Sequence, residues 1–474
     1  MLKSAQKWLQ SLTPYAEKHE HACRKPLQAQ EQILHNLLEK NRDTEFGKDH
    51  GFSAISNYHN FTHQIPVRTY QDLNPWMKLT LMGEENILTK EAVIGYEQTS
   101  GSSGGRKLIP FTESFRQEMA IAIGGWMHRW LEVYPDAFNG PAYWSISPPS
   151  MTPIFTPGGA RVGMDNDGSY FPPECARHIA GMLLNPPTNG NFMVSTANYL
   201  LDCDNLSSIS AWSPTFILQL DQALRQQAHS FTTWKQQWPN LKIISCWTDA
   251  QAAVWLPELR TAIGEIQIEP KGLLSTEGVC SVPAVHQEGC VLAAGSHFIE
   301  FMRPSGLCSM LDQVEVGETY EIVLTTGAGL YRYRTLDQVK IESIDTNGLP
   351  TIRFIGRTGR HSDLVGEKLT EEFVAGAMYD CGARGILAAN HDHYRFYTEQ
   401  AGSAADLDQQ LSNNPYYAQA IALGQLKPLE TRLVPQGFFM NLIHQRAKET
   451  GTRLGDVKLP ALLLSGEQPS WFLS

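Results

Sequence analysis

The chain has 474 residues, more than one hydrophobic core usually serves, so two or more domains are expected. Its 42% apolar content and 11 tryptophans supply ample material for such cores. With 38 Lys and Arg against 49 Asp and Glu the net charge is −11, which argues against nucleic acid or an anionic membrane as partner and requires any polyanion site to gather its cations locally.

Met1-Leu2-Lys3-Ser4-Ala5-Gln6-Lys7 continues as an amphipathic stretch without the apolar core of a signal peptide. The apolar run near Ile121 is broken by glycines, His128 and Arg129, far short of a membrane span. The 8 cysteines form no C-x-x-C pair and no zinc spacing, which reads as reduced core thiols in a cytoplasmic protein. Leu27, Ile33, Leu34, Leu37 and Leu38 recur at helical spacing and predict a helix ending near Asn41. Residues 44–80 carry turn residues and short apolar runs, and Ala92-Val93-Ile94-Gly95-Tyr96 reads as a strand.

After that strand comes Thr99-Ser100-Gly101-Ser102-Ser103-Gly104-Gly105-Arg106-Lys107. Glycines let successive backbone N–H groups point one way, and hydroxyls add donors without bulk, so the run suits a polyanion such as a nucleotide phosphate. Three chemistries use such loops. A P-loop counted from Gly101 needs glycine where Arg106 stands and a hydroxyl where Leu108 stands, so its spacing fails. Gly101-Ser102-Ser103-Gly104-Gly105 satisfies the G-x-S-x-G of a serine hydrolase, with Ser103 as nucleophile, but that elbow must open a helix. Arg106-Lys107-Leu108-Ile109-Pro110-Phe111 reads as extended instead. The third owner is the Ser/Thr/Gly-rich phosphate loop of adenylate-forming enzymes, which lies between two strands. A flexible linker has the same composition, but this loop stands between apolar, ordered-looking segments.

Ser114 and Gln117 can form a capping box for a helix running to about Leu131. Its Phe115, Met119, Ile123, Trp126, Met127 and Trp130 read as core, with Trp126, Trp130, Tyr170 and Phe171 as alternative lining of an aromatic pocket. Residues 136–175, rich in Pro, Gly and Ser, read as long surface loops. Leu241-Lys242-Ile243-Ile244-Ser245-Cys246-Trp247 predicts a buried strand, and Glu265-Ile266-Gln267-Ile268 with Gly272-Leu273-Leu274 another, ending at Ser275-Thr276-Glu277. A carboxylate behind two hydroxyls can hold magnesium and meet phosphate or ribose oxygens, although a turn with a solvated Glu fits the same letters. Thr319-Tyr320-Glu321-Ile322-Val323-Leu324-Thr325 alternates as a strand. In Tyr331-Arg332-Tyr333-Arg334-Thr335-Leu336-Asp337 strand alternation puts both tyrosines on one face and both arginines on the other. Asp337 could accept from two ribose hydroxyls, and an arginine ladder paired to acids is the structural alternative. Mixed helices and strands make the fold α/β.

In chain order these motifs, followed by Gly356-Arg357 and Ser362-Asp363-Leu364-Val365-Gly366-Glu367-Lys368, resemble the core motifs of the adenylate-forming superfamily. From about residue 27 to the end the chain more closely resembles the auxin-responsive acyl acid amido synthetases, the Gretchen Hagen family. Thr44-Glu45-Phe46-Gly47-Lys48, Ile65-Pro66-Val67-Arg68-Thr69-Tyr70, Asn74-Pro75-Trp76 and His297-Phe298-Ile299-Glu300-Phe301 carry that likeness further. The resemblance implies an adenylate-forming fold with a large N-terminal α/β domain (1–360), its β-sheets flanked by helices, and a small mobile C-terminal α+β domain (361–474). It implies ATP and Mg²⁺ as cofactors and, as partners, a small carboxylic acid and an amino acid or other amine. Thr99, Ser100, Gly101, Ser102, Ser103, Gly104 and Lys107 match the triphosphate loop. Ser275, Thr276 and Glu277 match the segment that contacts phosphate and metal, with Glu277 the magnesium ligand. Tyr331, Asp337, Arg357 and Lys368 match further nucleotide contacts, with Asp337 on the ribose and Arg357 near the hinge. Lys458, in Gly455-Asp456-Val457-Lys458-Leu459-Pro460, matches the lysine that enters from the small domain, and with Lys107 and Glu277 it forms the implied catalytic set. Leu273 stands where the family carries an aromatic residue near adenine, and the segment after 360 is shorter than in plant members.

The implied reaction has two steps. A carboxylate attacks the α-phosphorus of ATP to give acyl-AMP and pyrophosphate, and an amine then attacks the activated carbonyl. Residues 358–363, with Gly359 and Asp363, are the hinge candidate, because glycine absorbs large backbone changes. An acyl-CoA ligase shares the first step, and a Ser103 hydrolase or acyltransferase needs no ATP at all.

Overall fold

The computed structural model describes residues 2–99, 107–144, 154–163, 170–180, 182–186, 192–228, 230–285, 289–359, 361–402, 404–450, 454, 457–465 and 467. Among them no helix is long and apolar enough to cross a membrane. All eight cysteines are free.

The predicted early helix is Pro26–Asn41, preceded by a longer one, Leu2–Arg24. Leu2–Arg24 packs along Glu113–Val133 at glycine-close range: a Cβ on Gly124 would stand 2.9 Å from Tyr15 Cβ, and one on Gly125 2.5 Å from the His19 ring. The long helix is capped by Thr112, not by a box from Ser114, because the Thr112 hydroxyl accepts from the Phe115 N–H at 3.1 Å. Its Trp126 and Trp130 rings stack with centroids 5.8 Å apart.

Behind that helix lies a parallel sheet in the order Ala142–Trp144, Ser208–Ser210, Ile243–Ser245, Gln267–Glu269. The strands run in step, with Ser210 opposite Ser245 and Ser245 opposite Glu269. Ala142–Trp144 corrects the expectation that residues 136–175 are surface loop throughout: three consecutive apolar residues are buried there as an edge strand. Strands buried on both faces lose the alternation that advertises a half-exposed one.

The following residues build an antiparallel sheet of seven strands, in the order Ser281–Pro283, Cys290–Leu292, Pro350–Arg357, Tyr333–Ile344, Thr319–Thr325, Phe298–Met302, Cys308–Ser309. Thr319–Thr325 appears where alternation predicts it. The Tyr-Arg repeat behaves differently. The strand begins only at Tyr333, because Arg332 sits at φ +49° and turns the chain.

From residue 361 the chain forms its own mixed sheet, in the order Glu430–Leu433, Tyr394–Thr398, Ile386–Ala389, Leu462–Leu463. The helix Glu371–Cys381 covers it, capped by Thr370 and closed by Gly382 at φ +68°. Leu369, Val374, Met378, Leu387, Phe396 and Leu407 form its core, and Val254 and Trp255 from the preceding residues pack into that core. The whole is the expected α/β architecture, helices flanking sheets in the N-terminal part and a smaller unit behind.

Candidate active site

Strands Gly95–Gln98 and Leu108–Phe111 pair antiparallel, and the Thr99 N–H donates to the Lys107 carbonyl at 3.0 Å. The two strands thus form a hairpin closed by Thr99 and Lys107. Pro110 is paired with Tyr96 within a strand, so the helix that a nucleophile elbow requires is not there. Ser100, Gly101, Ser102, Ser103 and Gly104 lie outside the described residues. At the base of the loop the Thr99 hydroxyl is buried and has no partner among the described residues. The Lys107 Nζ donates to the Tyr333 hydroxyl at 3.2 Å.

Thr276 and Glu277 form the turn of a small hairpin between Leu274–Ser275 and Gly278–Val279. The Ser275 hydroxyl donates to the Gly278 carbonyl at 3.2 Å, tightening the turn. A side chain on Gly278 would meet the His297 ring at 2.8 Å, so this position admits only glycine without displacing the buried histidine. Glu277 is held inward at 7% exposure, with its Oε1 3.5 Å from the Tyr333 hydroxyl. Tyr333 thus stands between Lys107 and Glu277, and burial raises its phenol well above the usual range.

Asp337 lies opposite Arg357 in the central strand pair, with Arg357 Nε 3.1 Å from its Oδ1. Arg357 Nη2 also donates to the Thr335 carbonyl at 2.7 Å, which fixes the guanidinium against the strand. Burial pushes the Asp337 carboxyl up to about 6, opposed by Arg357 and Lys458 and reinforced by Glu277. Those couplings place Glu277, Arg357 and Lys458 around one carboxylate. Lys458 arrives from the far end of the chain and rests its Nζ 4.2 Å from the centre of the Trp247 ring. Its neighbours Gly455 and Asp456 lie outside the described residues.

Two expected nucleotide contacts are not part of this group. Tyr331 is a core side chain: it is fully buried, stacks on Phe46 at 4.7 Å, and its hydroxyl donates to the Leu88 carbonyl at 2.8 Å. The turn at Arg332 points it away from the face that Tyr333 and Asp337 share. Lys368 is exposed at φ +46° before the short strand Leu369–Thr370, and none of the contacts above joins it to the cluster. Thr276 is half-buried beside Glu277. Leu273 is buried in the core beneath the seven-stranded sheet. Of the suggested aromatic lining, Trp126, Trp130 and Phe171 are core, Tyr170 packs on Phe111, and Trp126 also faces the Lys271 ammonium at 5.7 Å.

Sequence reasoning missed Tyr333, Trp212, Trp247 and Lys271. The last three each stand two residues beyond the end of a parallel strand, a position legible only once strand ends are known. Trp212 and Trp247 have ring centres 5.5 Å apart.

The arrangement gathers three cations, Lys107, Arg357 and Lys458, around two inward carboxylates, Glu277 and Asp337. Such a set suits a polyphosphate with a sugar attached. Among the described residues no group of three or more His, Cys, Asp or Glu could cage a metal ion. A single carboxylate fits Mg²⁺ carried in on phosphates, the way this ion is commonly held.

Family models match along most of the chain: the GH3 family N-terminal domain over residues 15–233, its central domain over 290–357 and its C-terminal domain over 367–467. Among curated proteins, a jasmonoyl–L-amino acid synthetase of Nicotiana attenuata is 22% identical, covering 87% of both chains. An indole-3-acetic acid-amido synthetase of Arabidopsis thaliana is also 22% identical, covering 93% of this chain and 90% of its own. Among solved structures, a GH3.15 acyl acid amido synthetase superposes with a TM-score of 0.80 at 19% identity over 96% of this chain and 94% of that one. A 2-hydroxyisobutyryl-CoA ligase in the postadenylation state superposes at 0.55 and 12% identity over 99% and 90%, which places the fold among adenylate-forming enzymes. With three family domains matched in order and the fold shared end to end, the chain belongs to the GH3 family.

Proposed function

We propose that this protein is an ATP-dependent acyl acid amido synthetase, activating a carboxylic acid as acyl-AMP and passing the acyl group to an amine, most suitably an amino acid. The observation that carries the reading is the convergence of Lys107, Glu277, Asp337, Arg357 and Lys458 from four separate stretches of chain onto one buried carboxylate and its surroundings. Ser102, Ser103 and the other loop residues then serve as phosphate donors, with Ser103 a ligand and not a nucleophile.

In the first step two anions, a carboxylate and a triphosphate, must approach. Lys107 and Lys458 offset that repulsion, and charges aimed into a dry site act most strongly. Glu277 would hold a magnesium ion on the phosphates, which supplies further neutralisation at the leaving pyrophosphate. Asp337 accepts from ribose hydroxyls while Arg357 steadies it. With the family's aromatic replaced by Leu273, the half-buried Trp247, beside Lys458, and its neighbour Trp212 are the aromatic surface offered for ligand packing. Residues 1–360 would bind acid and nucleotide, and 361–474 would bring Lys458, turning about 358–363. Gly359 suits that role, with φ +91° and open space where a Cβ would stand. A cytoplasmic setting agrees with eight free thiols.

The similarity to a CoA ligase fold supports one second reading, a thiol acceptor after the same adenylate. Incubation with ATP, Mg²⁺ and a panel of aryl, indolyl and fatty acids, followed by mass spectrometry with amino acids or CoA as acceptors, separates the two. An acyl amino acid is the expected product. An acyl-CoA formed in its place, with no amide, would transfer the reading to the ligase.

A further inference from the structure

The reaction above leaves one buried polar pair without a task, Glu118 with His297. The histidine ring is fully buried, stacks on Phe115 with centroids 5.3 Å apart, and holds its Nδ1 2.7 Å from Glu118 Oε2. A carboxylate only accepts, so the ring donates through Nδ1. The opposite edge of the ring, with Nε2 unpartnered among the described residues, lies against the Ser-Thr-Glu hairpin: a Cβ on Gly278 would stand 2.9 Å from Nε2. Three stretches that build the site meet at this pair. Helix Glu113–Val133 carries Glu118 and is joined through Thr112 to strand Leu108–Phe111, which begins after Lys107. Gly327 lies in the turn that leads to Tyr333; its N–H donates to Glu118 at 2.9 Å, and its carbonyl accepts from the Thr112 hydroxyl at 2.8 Å. The turn comes this close because residue 327 is glycine: a Cβ there would stand 2.7 Å from Glu118 Oε1. The third stretch is the hairpin of Glu277, backed by the His297 ring and tied by the Ser296 hydroxyl, which donates to the Val279 carbonyl at 2.9 Å.

Apolar residues of similar volume commonly hold a fold as well as a buried polar pair does, because desolvation offsets the attraction. What directed bonds add is one fixed arrangement of the elements that carry them. We propose that Glu118 and His297 are positioning residues of the active site. They hold the Glu277 hairpin, the turn before Tyr333 and the strand behind Lys107 in one arrangement, and so keep the Glu277 carboxylate inward. Neither touches a ligand; both act through Glu277. This inference rests on the ATP-dependent reading above, in which Glu277 meets magnesium on the phosphates.

The test is calorimetric binding of ATP to the full-length protein, with Mg²⁺ and with EDTA. Magnesium should tighten binding in the wild type. His297→Leu, which keeps the volume and removes the bond to Glu118, should weaken Mg·ATP binding ~10-fold and change metal-free ATP by less than ~2-fold, as loss of support behind a metal ligand does. His297→Asn, whose amide can still donate to Glu118, should recover ~3-fold of that loss. An asparagine no better than leucine removes Glu118 from the assignment. Gly278→Ala leaves the pair bonded and lifts the hairpin off the ring; it should show the same magnesium-specific loss, and it decides alone if the leucine variant fails to fold. Equal weakening with and without magnesium, or no weakening in either variant, overturns the inference. If the wild type binds no ATP, or magnesium does not tighten it, the functional reading fails, and hydrogen–deuterium exchange decides separately. Faster exchange in His297→Leu at both 274–279 and 326–330 supports the coupling, and exchange unchanged at 274–279 overturns it.

Discussion

Two residues concentrate the chemistry, and each makes a prediction. Lys458 lies over the Trp247 ring and acts by its charge on the Asp337 carboxylate. Lys458→Ala should lower acid-dependent pyrophosphate exchange by ~100- to 1000-fold while sparing amide formation from a preformed acyl-adenylate; full exchange activity in that variant would remove the lysine from the first step. Asp337 is charged at a cost. Its carboxyl titrates near 6 in the fold against 3.8 when unperturbed, with burial as the main cause. The folded state thus holds its proton to higher pH than the unfolded chain. Stability from this group is complete below the unfolded value and is lost as pH rises through about 6. Asp337→Asn should therefore melt higher than the parent at pH 8, with the difference closing as pH falls from 6 towards 4, and should lose nucleotide binding at every pH. A melting difference that does not change with pH contradicts the assignment. Asp337 and Glu277 stand out in the sequence as motif letters, but Tyr333 does not. A strand alternation treats Tyr331 and Tyr333 alike, and only the positive φ at Arg332 separates a core ring from a site hydroxyl.

At the scale of elements, the Tyr-Arg repeat turned out to serve two purposes. Arg332 is bidentate to Glu300, at 3.0 Å from Nε to Oε2 and 2.9 Å from Nη2 to Oε1, and also donates to the Ile65 carbonyl at 2.7 Å. Tyr58 donates to the same Glu300 carboxylate at 2.9 Å. Arg334 pairs with Glu321 in the neighbouring strand. The arginine ladder is thus structural, and it ties residues 58–68 to the strand that presents Asp337. Removing one partner strands a buried charge, so Glu300→Ala should cost about 3–5 kcal/mol in chemical denaturation. A loss below 1 kcal/mol would show that this pair does not anchor the strand. Pro26–Asn41 could be read from its pattern because one face is wet, and Thr319–Thr325, buried from Tyr320 onward, because seven consecutive residues are enough to show strand-forming letters. Ala142–Trp144 could not, since a short strand buried on both faces has no period. The Ser-Thr-Glu hairpin was half legible: its letters mark a turn, and its inward carboxylate depends on the glycine that lets His297 pack beneath.

For the whole molecule, the order of motifs was enough to read the α/β architecture, although the strand order within the seven-stranded sheet does not follow the chain. What no single stretch could reveal is how the last hundred residues dock. Val254 and Trp255 pack into the small unit's core, Trp255 faces Phe439 with ring centres 6.4 Å apart, and Arg384 pairs with Glu258. These long-range contacts hold Lys458 over Trp247, and they have no periodic trace in the sequence. The central claim is that this assembly activates a carboxylic acid at the expense of ATP. Acid-dependent exchange of labelled pyrophosphate into ATP measures that step alone, before any acceptor is needed. The account predicts exchange with at least one aryl or indolyl acid, dependent on magnesium and abolished by Glu277→Gln. Protein that cleaves an ester through a fluorophosphonate-sensitive Ser103, with no exchange for any acid, would contradict it.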